Sequence, residues 1–123
     1  MAKIATDLEQ SKLLAKILPI ESADMYYWYS GKRYYIESMD DGDYVEGNDI
    51  PAWSLSALIE IIPIEIFNDK YIINITESIT NKLIITYDDC INRSCYPNLS
   101  ACCDTFIDSC VEMIVKLKER NLL

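Results

Sequence analysis

Two segments of strand-forming residues, each folded about a short turn, limit the fold of this chain more than any other feature. In the first, the aromatic residues 26–29 and the residues 34–37 flank a turn that contains Gly31. In the second, residues 71–76 and 83–87 are rich in β-branched side chains. Such runs about a short turn are typical of β-hairpins. The sequence therefore predicts two antiparallel hairpins.

Three helices are predicted from apolar side chains that recur at helical spacing. The first covers residues 6–18, where Thr6 and Glu9 have the spacing of a capping box. The second covers residues 52–62, which lie between two prolines. The third begins at Thr105, which starts a second capping box. Helices thus alternate with the hairpins along the chain.

The order α-ββ-α-ββ-α predicts an α+β fold, a small two-layer domain in which an antiparallel sheet from both hairpins packs with three helices. Residues 88–103 contain Pro97 and are expected to be irregular, with a short strand at 99–103. The 123 residues suffice for one domain with its own core, so we expect a single domain over residues 1–123.

The expected location is the cytoplasm of the cell. No stretch approaches the roughly 18 apolar residues that a membrane span needs. The first residues turn acidic at Asp7 without the apolar core of a signal peptide. An odd number of cysteines, five, also argues against a disulfide framework. We therefore expect no membrane association.

Acidic residues are concentrated in one part of the chain. The net charge is −9, and residues 34–69 contain nine acidic residues and neither lysine nor arginine. Such a field repels the phosphate backbone of nucleic acids and anionic lipids, and it attracts basic proteins. We expect no nucleic-acid partner; the segment acts either as a solubility feature or as a docking surface for a basic protein.

The composition argues against an enzyme. The chain has no histidine, which removes the commonest general base and the commonest metal ligand. Its three glycines, Gly31, Gly42 and Gly47, are too far apart to form a phosphate-binding loop. No catalytic constellation is recognised, and no cofactor is expected.

The cysteines suggest one metal site as an alternative. Cys90 and Cys95 have a spacing close to that of structural zinc ligands, whereas Cys102 and Cys103 are adjacent and would lie on different faces of a strand. Cys110 fits the inner stripe of the last helix as a small apolar residue. The alternative hypothesis is thus a zinc- or small-molecule-binding protein that uses Cys90, Cys95, Cys102 and Cys103.

The acidic residues Asp40, Asp41 and Asp43 invite a calcium interpretation, because carboxylates are calcium ligands. Their order around Gly42 does not match the alternating positions of an EF-hand loop. An acidic turn is the better interpretation, and we assign these three carboxylates to the predicted partner-binding surface instead.

The first hairpin is unusually aromatic, with six tyrosine or tryptophan residues among residues 26–35. Side chains alternate between the two faces of a strand, so these rings cannot all lie in one core. Tyr and Trp are enriched in binding hot spots. The alternative is a sheet packed on one side, with tyrosines covering the other side. The predicted anchors for a partner are Trp28, Tyr29, Tyr34 and Tyr35.

Three blocks, residues 8–25, 51–58 and 107–123, together resemble a group of small uncharacterised proteins from phages and mobile elements of gut Bacteroidetes-type bacteria. The blocks cover both ends and the middle of the chain, whereas the hairpins between them are not matched. The resemblance implies a bacterial cytoplasmic accessory protein and carries no assigned activity.

The leading hypothesis is therefore a non-enzymatic interaction protein. Its contact surface would be the aromatic hairpin together with the acidic residues Asp40, Asp41 and Asp43, and its partner another copy of itself or a basic host protein.

Overall fold

A computed structural model of the chain describes residues 3–39 and 47–123. These residues form three α-helices and two antiparallel sheets, which confirms the α+β class and the order of helices and hairpins. The chain divides into two compact units, Met1–Leu58 and Ile59–Leu123. Each hairpin lies in a sheet of its own rather than in the one shared sheet that was expected. The reason is that each hairpin pairs with further strands from its own part of the chain.

The first unit contains a three-stranded sheet in the order β2-β1-β3. Gly31, with φ of +68°, is the first central residue of the two-residue turn between the first two strands. Glycine adopts this conformation at little cost, and it is the residue that such hairpin turns favour. The elements of this unit are α1 (Leu8–Ala15), a 3₁₀ helix (Ile20–Ser22), β1 (Met25–Ser30), β2 (Arg33–Ser38), β3 (Ile50–Ala52) and the start of α2 (Leu55–Ile61).

The helix α1 is capped by Asp7, so the predicted cap at Thr6 is wrong. The Asp7 carboxylate accepts the Gln10 N–H at 2.8 Å, and the Gln10 side chain accepts the Asp7 N–H at 3.0 Å. Thr6 is fully buried. Its Oγ1 lies 2.7 Å from Ser11 Oγ and accepts the Trp53 N–H at 3.2 Å. The threonine hydroxyl thus satisfies buried polar groups instead of the helix end.

The helix α2 begins at Leu55, three residues later than predicted, because Pro51 and Ala52 belong to β3 and pair with β1. Ser54 lies just before the helix, and its Oγ accepts the Ala57 N–H at 3.3 Å. The Ser54 N–H and hydroxyl both donate to the Asp24 carboxylate, the former at 2.8 Å. Side-chain capping therefore fixes the helix start.

The second unit contains a four-stranded sheet in the order β4-β5-β6-β7, with α3 packed on β6 and β7. Its elements are β4 (Glu65–Ile66), β5 (Tyr71–Glu77), β6 (Leu83–Asp89), β7 (Cys95–Cys103) and α3 (Phe106–Glu119). The core of this layer pair consists of buried apolar side chains from both layers: Ile85, Tyr87, Leu99, Ala101, Ile107, Cys110, Met113, Ile114 and Leu117.

Residues 88–103 are more regular than predicted. The strand β6 continues to Asp89, and β7 covers the nine residues from Cys95 to Cys103. The strand β7 contains Pro97, which cannot donate a backbone hydrogen bond. It lies at an edge of the sheet, where such a residue is tolerated. The register with β6 shifts between the pairs Asp88–Cys95 and Thr86–Ser100, so the proline that suggested an irregular segment lies in a bulge of this edge strand.

The N-terminal end of α3 follows the predicted chemistry. The Thr105 hydroxyl accepts the Asp108 N–H at 3.1 Å, which confirms the cap. At the other end, the N–H of Leu122 donates to the Leu117 carbonyl at 2.9 Å, with Asn121 at φ of +58°. This is the bond pattern of a Schellman motif. No helix within residues 3–39 and 47–123 combines the length and apolar character that crossing a bilayer would require.

Candidate functional site

The β1–β2 hairpin, residues 25–38 and named here the aromatic hairpin, places its four predicted anchors in two cross-strand ring pairs. Trp28 lies opposite Tyr35, and Tyr29 lies opposite Tyr34. The first two rings are stacked, with centroids 4.8 Å apart and planes at 25°. The second two are tilted at 57°, with centroids 5.0 Å apart. Strand register therefore brings together residues that sequence spacing alone left unpaired.

The two ring pairs lie on opposite faces of the aromatic hairpin, because side chains alternate along each strand. The register defines a Trp28 face, formed by Tyr26, Trp28, Arg33, Tyr35 and Glu37. It also defines a Tyr29 face, formed by Met25, Tyr27, Tyr29, Tyr34 and Ile36. This register confirms the prediction that the rings divide between the two faces of the hairpin.

Polar contacts hold the rings of the Trp28 face in place. Arg33 Nε donates to the Tyr35 hydroxyl at 2.9 Å, and the guanidinium lies 5.0 Å from the centre of that ring. The Tyr26 hydroxyl donates to Glu37 at 3.0 Å. The Trp28 Nε1 atom is buried and has no hydrogen-bond partner among the residues that the structure describes. This face thus combines stacked rings with a cation at one end and an anion at the other.

The Tyr29 face is held by the N-terminal segment at one end and exposed at the other. The Tyr27 hydroxyl donates to the Thr6 carbonyl at 2.8 Å. Burial raises the pKa of Tyr27, and the negative charge of Asp7 raises it further, against the opposing effect of Lys3. Near the turn, Tyr29 is 55% exposed and Tyr34 is 37% exposed. The exposed ring pair is therefore attached to a fixed strand pair.

The three acidic residues that were predicted to contribute to this surface are not among those that the structure describes. They are Asp40, Asp41 and Asp43. Of the acidic residues in segment 34–69, Glu37 lies in the aromatic hairpin itself and is exposed.

The four cysteines of the alternative hypothesis lie on or beside β6 and β7 as free thiols. Cys102 and Cys103 are successive residues of β7, opposite Ile84 and Leu83, and so lie on different faces as expected. Cys90 Sγ donates to the Asp69 carbonyl at 2.9 Å. In the described ranges 3–39 and 47–123, no three cysteine, aspartate or glutamate side chains converge as a metal site would require.

Two of these thiols have surroundings that favour the protonated form. A hydrogen bond to Asp88 raises the pKa of Cys95, with burial and the carboxylate charge adding to the effect. Partial burial, followed by the hydrogen bond to Glu112 and its charge, raises the pKa of Cys103 to about 11. Zinc binds the thiolate, so a metal ion at Cys95 or Cys103 would have to displace a proton that these contacts favour.

Asp88 forms the centre of a polar cluster on the sheet surface that faces away from α3. Its carboxylate accepts hydrogen bonds from Asn74 Nδ2 at 2.8 Å and from Thr86 Oγ1 at 3.0 Å. Burial works against ionisation of Asp88, but hydrogen bonds from Cys95, Asn74 and Thr86 outweigh it and lower the pKa. A cleft of about 300 Å³ adjoins the cluster, lined by Ile72, Ile73, Asn74, Asp88, Asp89, Cys90 and Arg93.

The carboxylates in this cleft are already occupied. Asp89 accepts the backbone N–H groups of Ile91 and Asn92 at 2.8 and 3.1 Å, and these bonds lower its pKa. Asp88 is occupied by its own three donors. The cleft thus resembles the polar surface of a rigid turn more than a built ligand site.

A second aromatic cluster, which the sequence did not indicate, lies in the second unit. The rings of Phe67, Tyr71 and Tyr96 lie with centroids 5.0 to 6.2 Å apart. Lys70 Nζ lies 5.6 Å from the centre of the Tyr71 ring, and the Arg120 guanidinium lies 5.7 Å from that of Tyr96. We name this group the Phe67 cluster.

Sequence reasoning missed the Phe67 cluster because its members come from three separate segments. Phe67, Asn68 and Asp69 form a turn in which all three residues have positive φ, from 54° to 68°. That turn directs Phe67 towards Tyr71 of β5, and the pairing of β6 with β7 brings Tyr96 beside them. No local sequence pattern predicts that these three rings lie together.

Comparison of the chain with protein-family models, with curated proteins and with solved structures finds no match in any of the three.

Proposed function

We propose that this chain is a non-enzymatic interaction protein that binds another protein through the aromatic hairpin. The observation that carries the proposal is the Tyr29–Tyr34 pair, whose side chains are 55% and 37% exposed on two paired strands. Tyrosine supplies a large contact area at a small entropic cost, because few torsions need to be fixed. Rings that are already ordered lower that cost further.

The second support is the number of rings and their division between two faces. Tyr35 is 37% exposed on the Trp28 face, as Tyr34 is on the Tyr29 face. The ring pairs allow a partner to bind either face of the hairpin, or to bind both faces at its turn end.

The charge of the neighbouring sequence narrows the partner class. Residues 34–69 carry nine of the acidic residues and no lysine or arginine. Such a segment speeds association with basic proteins and repels acidic ones. The proposed partner is therefore a protein with a basic surface, or a second copy that presents its own cations.

The proposed setting is the bacterial cytoplasm, where the chain would act as an accessory protein of a mobile element. The five free thiols suit a reducing compartment. The mobile-element origin rests on the resemblance of the three sequence blocks alone. The zinc-binding alternative receives no comparable support from the cysteine environments.

The test is affinity capture from a lysate of cells that carry the gene, followed by reconstitution with the purified partner. The double variant Tyr29→Ser, Tyr34→Ser removes the exposed ring pair. A matched control, Ile79→Ser with Ile91→Ser, removes two apolar side chains that are 102% and 93% exposed in the second unit. A partner that binds the native chain and the control but not the tyrosine variant supports the proposal.

Binding that survives the tyrosine substitutions would show that the aromatic hairpin is not the contact surface. Loss of binding in the control as well would point to a general surface effect, and it would equally overturn the proposal. Circular dichroism of each variant establishes that the strands remain folded.

A further inference from the structure

We infer that the partner of the aromatic hairpin is a second copy of this chain, which pairs β2 with β2 in antiparallel orientation about a two-fold axis. The inference rests on the proposed function and assigns its partner. The starting point is the position of β2, which is an edge strand of the three-stranded sheet among the described residues. An unpaired strand edge is a template for another strand.

The register of the aromatic hairpin shows which backbone groups face that edge. Met39 N donates to the Asp24 carbonyl at 2.9 Å, so this pair is hydrogen-bonded across the two strands. In an antiparallel ladder hydrogen-bonded pairs alternate with pairs that are not bonded. Counting from Asp24–Met39, the backbone groups of Tyr34, Ile36 and Ser38 point away from β1.

These outward groups allow a symmetric arrangement. With the axis at Tyr35, Tyr34 of each copy exchanges backbone hydrogen bonds with Ile36 of the other. Tyr35 then lies opposite Tyr35 of the second copy as a pair without hydrogen bonds. In such pairs the side chains approach most closely, so the two rings meet.

The same register places opposite charges together. Arg33 and Glu37 lie two residues on either side of Tyr35, on the same face of the strand. About the two-fold axis, Arg33 of each copy is therefore directly opposite Glu37 of the other, which gives two identical ion pairs. Both side chains are exposed, and no ion pair to Arg33 occurs within the described residues. Opposite charges at directly facing positions stabilise strand pairs.

Charge also selects the orientation. The turn end of the aromatic hairpin carries Lys32 and Arg33, and the other end of β2 carries Glu37. Antiparallel pairing places the cationic end of each copy against the acidic end of the other. Parallel pairing would place like charges side by side, which is unfavourable. An acidic chain can thus associate with itself because the contact strand has its own internal polarity.

The test uses charge reversal with complementation. A single strand pair buries less than a standard interface, so sedimentation velocity should cover roughly 10 to 500 μM protein. We expect the native chain to dimerise in this range. Arg33→Glu and Glu37→Arg should each weaken the dimer about tenfold or more, because each places two like-charged pairs face to face.

The decisive sample is an equimolar mixture of the two single variants. In the mixed dimer, the side chain introduced by Arg33→Glu in one copy faces the side chain introduced by Glu37→Arg in the other. The native Glu37 of the first copy faces the native Arg33 of the second. Association should therefore return to within about threefold of the native level. The control Lys82→Glu reverses a charge that lies 4.0 Å from Asp104 in the second unit, and it should leave the dimer unchanged.

Two results would overturn the inference: a native chain that stays monomeric over the whole range, and a mixture that associates no better than either variant alone. A monomeric chain whose lysate partner still depends on Tyr29 and Tyr34 would overturn only this inference and leave the proposed function in place. A chain that neither dimerises nor captures a tyrosine-dependent partner would remove both.

Discussion

The thiol of Cys103 on β7 lies 2.9 Å from Oε2 of Glu112 on α3, and the other carboxylate oxygen of Glu112 lies 2.9 Å from Lys116. The strand and the helix are thus joined by a short polar chain of thiol, carboxylate and ammonium. Because the carboxylate accepts a hydrogen bond from the protonated thiol and carries a negative charge, it disfavours the thiolate. This relationship makes a direct prediction for cysteine reactivity.

Glu112→Gln should increase the alkylation rate of Cys103. Burial and Glu112 together raise the pKa of this thiol to about 11, and the substitution removes the second cause while leaving the first. We expect a roughly three- to tenfold faster reaction with iodoacetamide at pH 8, since the thiolate is the reactive form. Peptide mapping by mass spectrometry measures the rate at each cysteine.

The internal reference for this experiment is Cys110, which is fully buried, with a pKa raised to about 12 by burial. Its rate should stay low in both proteins. If Cys110 also reacted faster in the variant, the substitution would have opened the fold instead of changing one thiol.

The helix cap provides a prediction about stability. Asp7→Ala should lower the free energy of unfolding by about 1 kcal/mol, because the carboxylate satisfies the Gln10 N–H at the start of α1. Glu9→Ala should change the stability by less than about 0.5 kcal/mol, because the capping box uses Asp7 and Gln10. Urea denaturation followed by circular dichroism measures both. Equal losses would favour a cap that involves Glu9.

The Asp88 cluster leads to a prediction with a pH dependence. Asp88→Asn should cost about 1 kcal/mol at pH 7, because an amide cannot accept hydrogen bonds at both of its terminal atoms from Asn74, Thr86 and Cys95. The folded pKa lies below the ordinary value of 3.8. The carboxylate therefore contributes its full stability above that ordinary value, and this contribution is lost as the pH falls through the folded pKa.

The stability gap between the native chain and the Asp88→Asn variant should accordingly be constant from pH 7 to about pH 5 and narrow below about pH 4. Asp104→Asn, at an exposed position, is the matched control and should show a small, flat difference. A gap that stayed constant down to pH 3 would mean that the charge of Asp88 contributes nothing.

Arg120 protects backbone carbonyls of the edge strand β7 from pairing with other strands. Its two terminal nitrogens donate to the carbonyls of Pro97 and Asn98 at 3.0 and 2.6 Å, and its guanidinium covers the Tyr96 ring. Arg120→Ala should destabilise the chain by about 1 kcal/mol and increase aggregation on heating, because edge carbonyls become available to other strands. Light scattering during thermal unfolding measures the second effect.

Lys118→Ala is the control for Arg120, since Lys118 is an exposed cation in the last turn of α3, two residues before Arg120. Its removal should leave stability and scattering close to native. If both variants aggregated equally, net charge and not edge protection would be the cause.

The sequence predicted the element types well, because apolar periodicity and hairpin turns are local signals. The hairpins and the cap at Thr105 are clear examples. The predicted helix starts at Thr6 and after Pro51 were wrong for a common reason. Each residue has a strong local preference, and a tertiary contact overrides it. Thr6 bonds to the Trp53 N–H, and Pro51 lies in a strand that only the distant β1 completes.

The candidate site was predictable in its membership but not in its geometry. Aromatic density identified Trp28, Tyr29, Tyr34 and Tyr35, whereas their pairing required the strand register. The Phe67 cluster was not predictable, since its rings come from residues 67, 71 and 96, which have no common motif. Long-range pairing of this kind leaves no trace in a single sequence.

The turn at Phe67, Asn68 and Asp69 has an energetic consequence. All three residues occupy the left-handed region, which costs residues other than glycine roughly 1 kcal/mol each, less for asparagine. The short β4–β5 pairing and the ring contacts of Phe67 must hold this turn against its own backbone preference. The substitution Asn68→Gly would relax the backbone and allow the Phe67 ring to adopt other orientations. The backbone conformation of this turn thus lowers the stability of the fold, while it fixes the direction of the Phe67 ring.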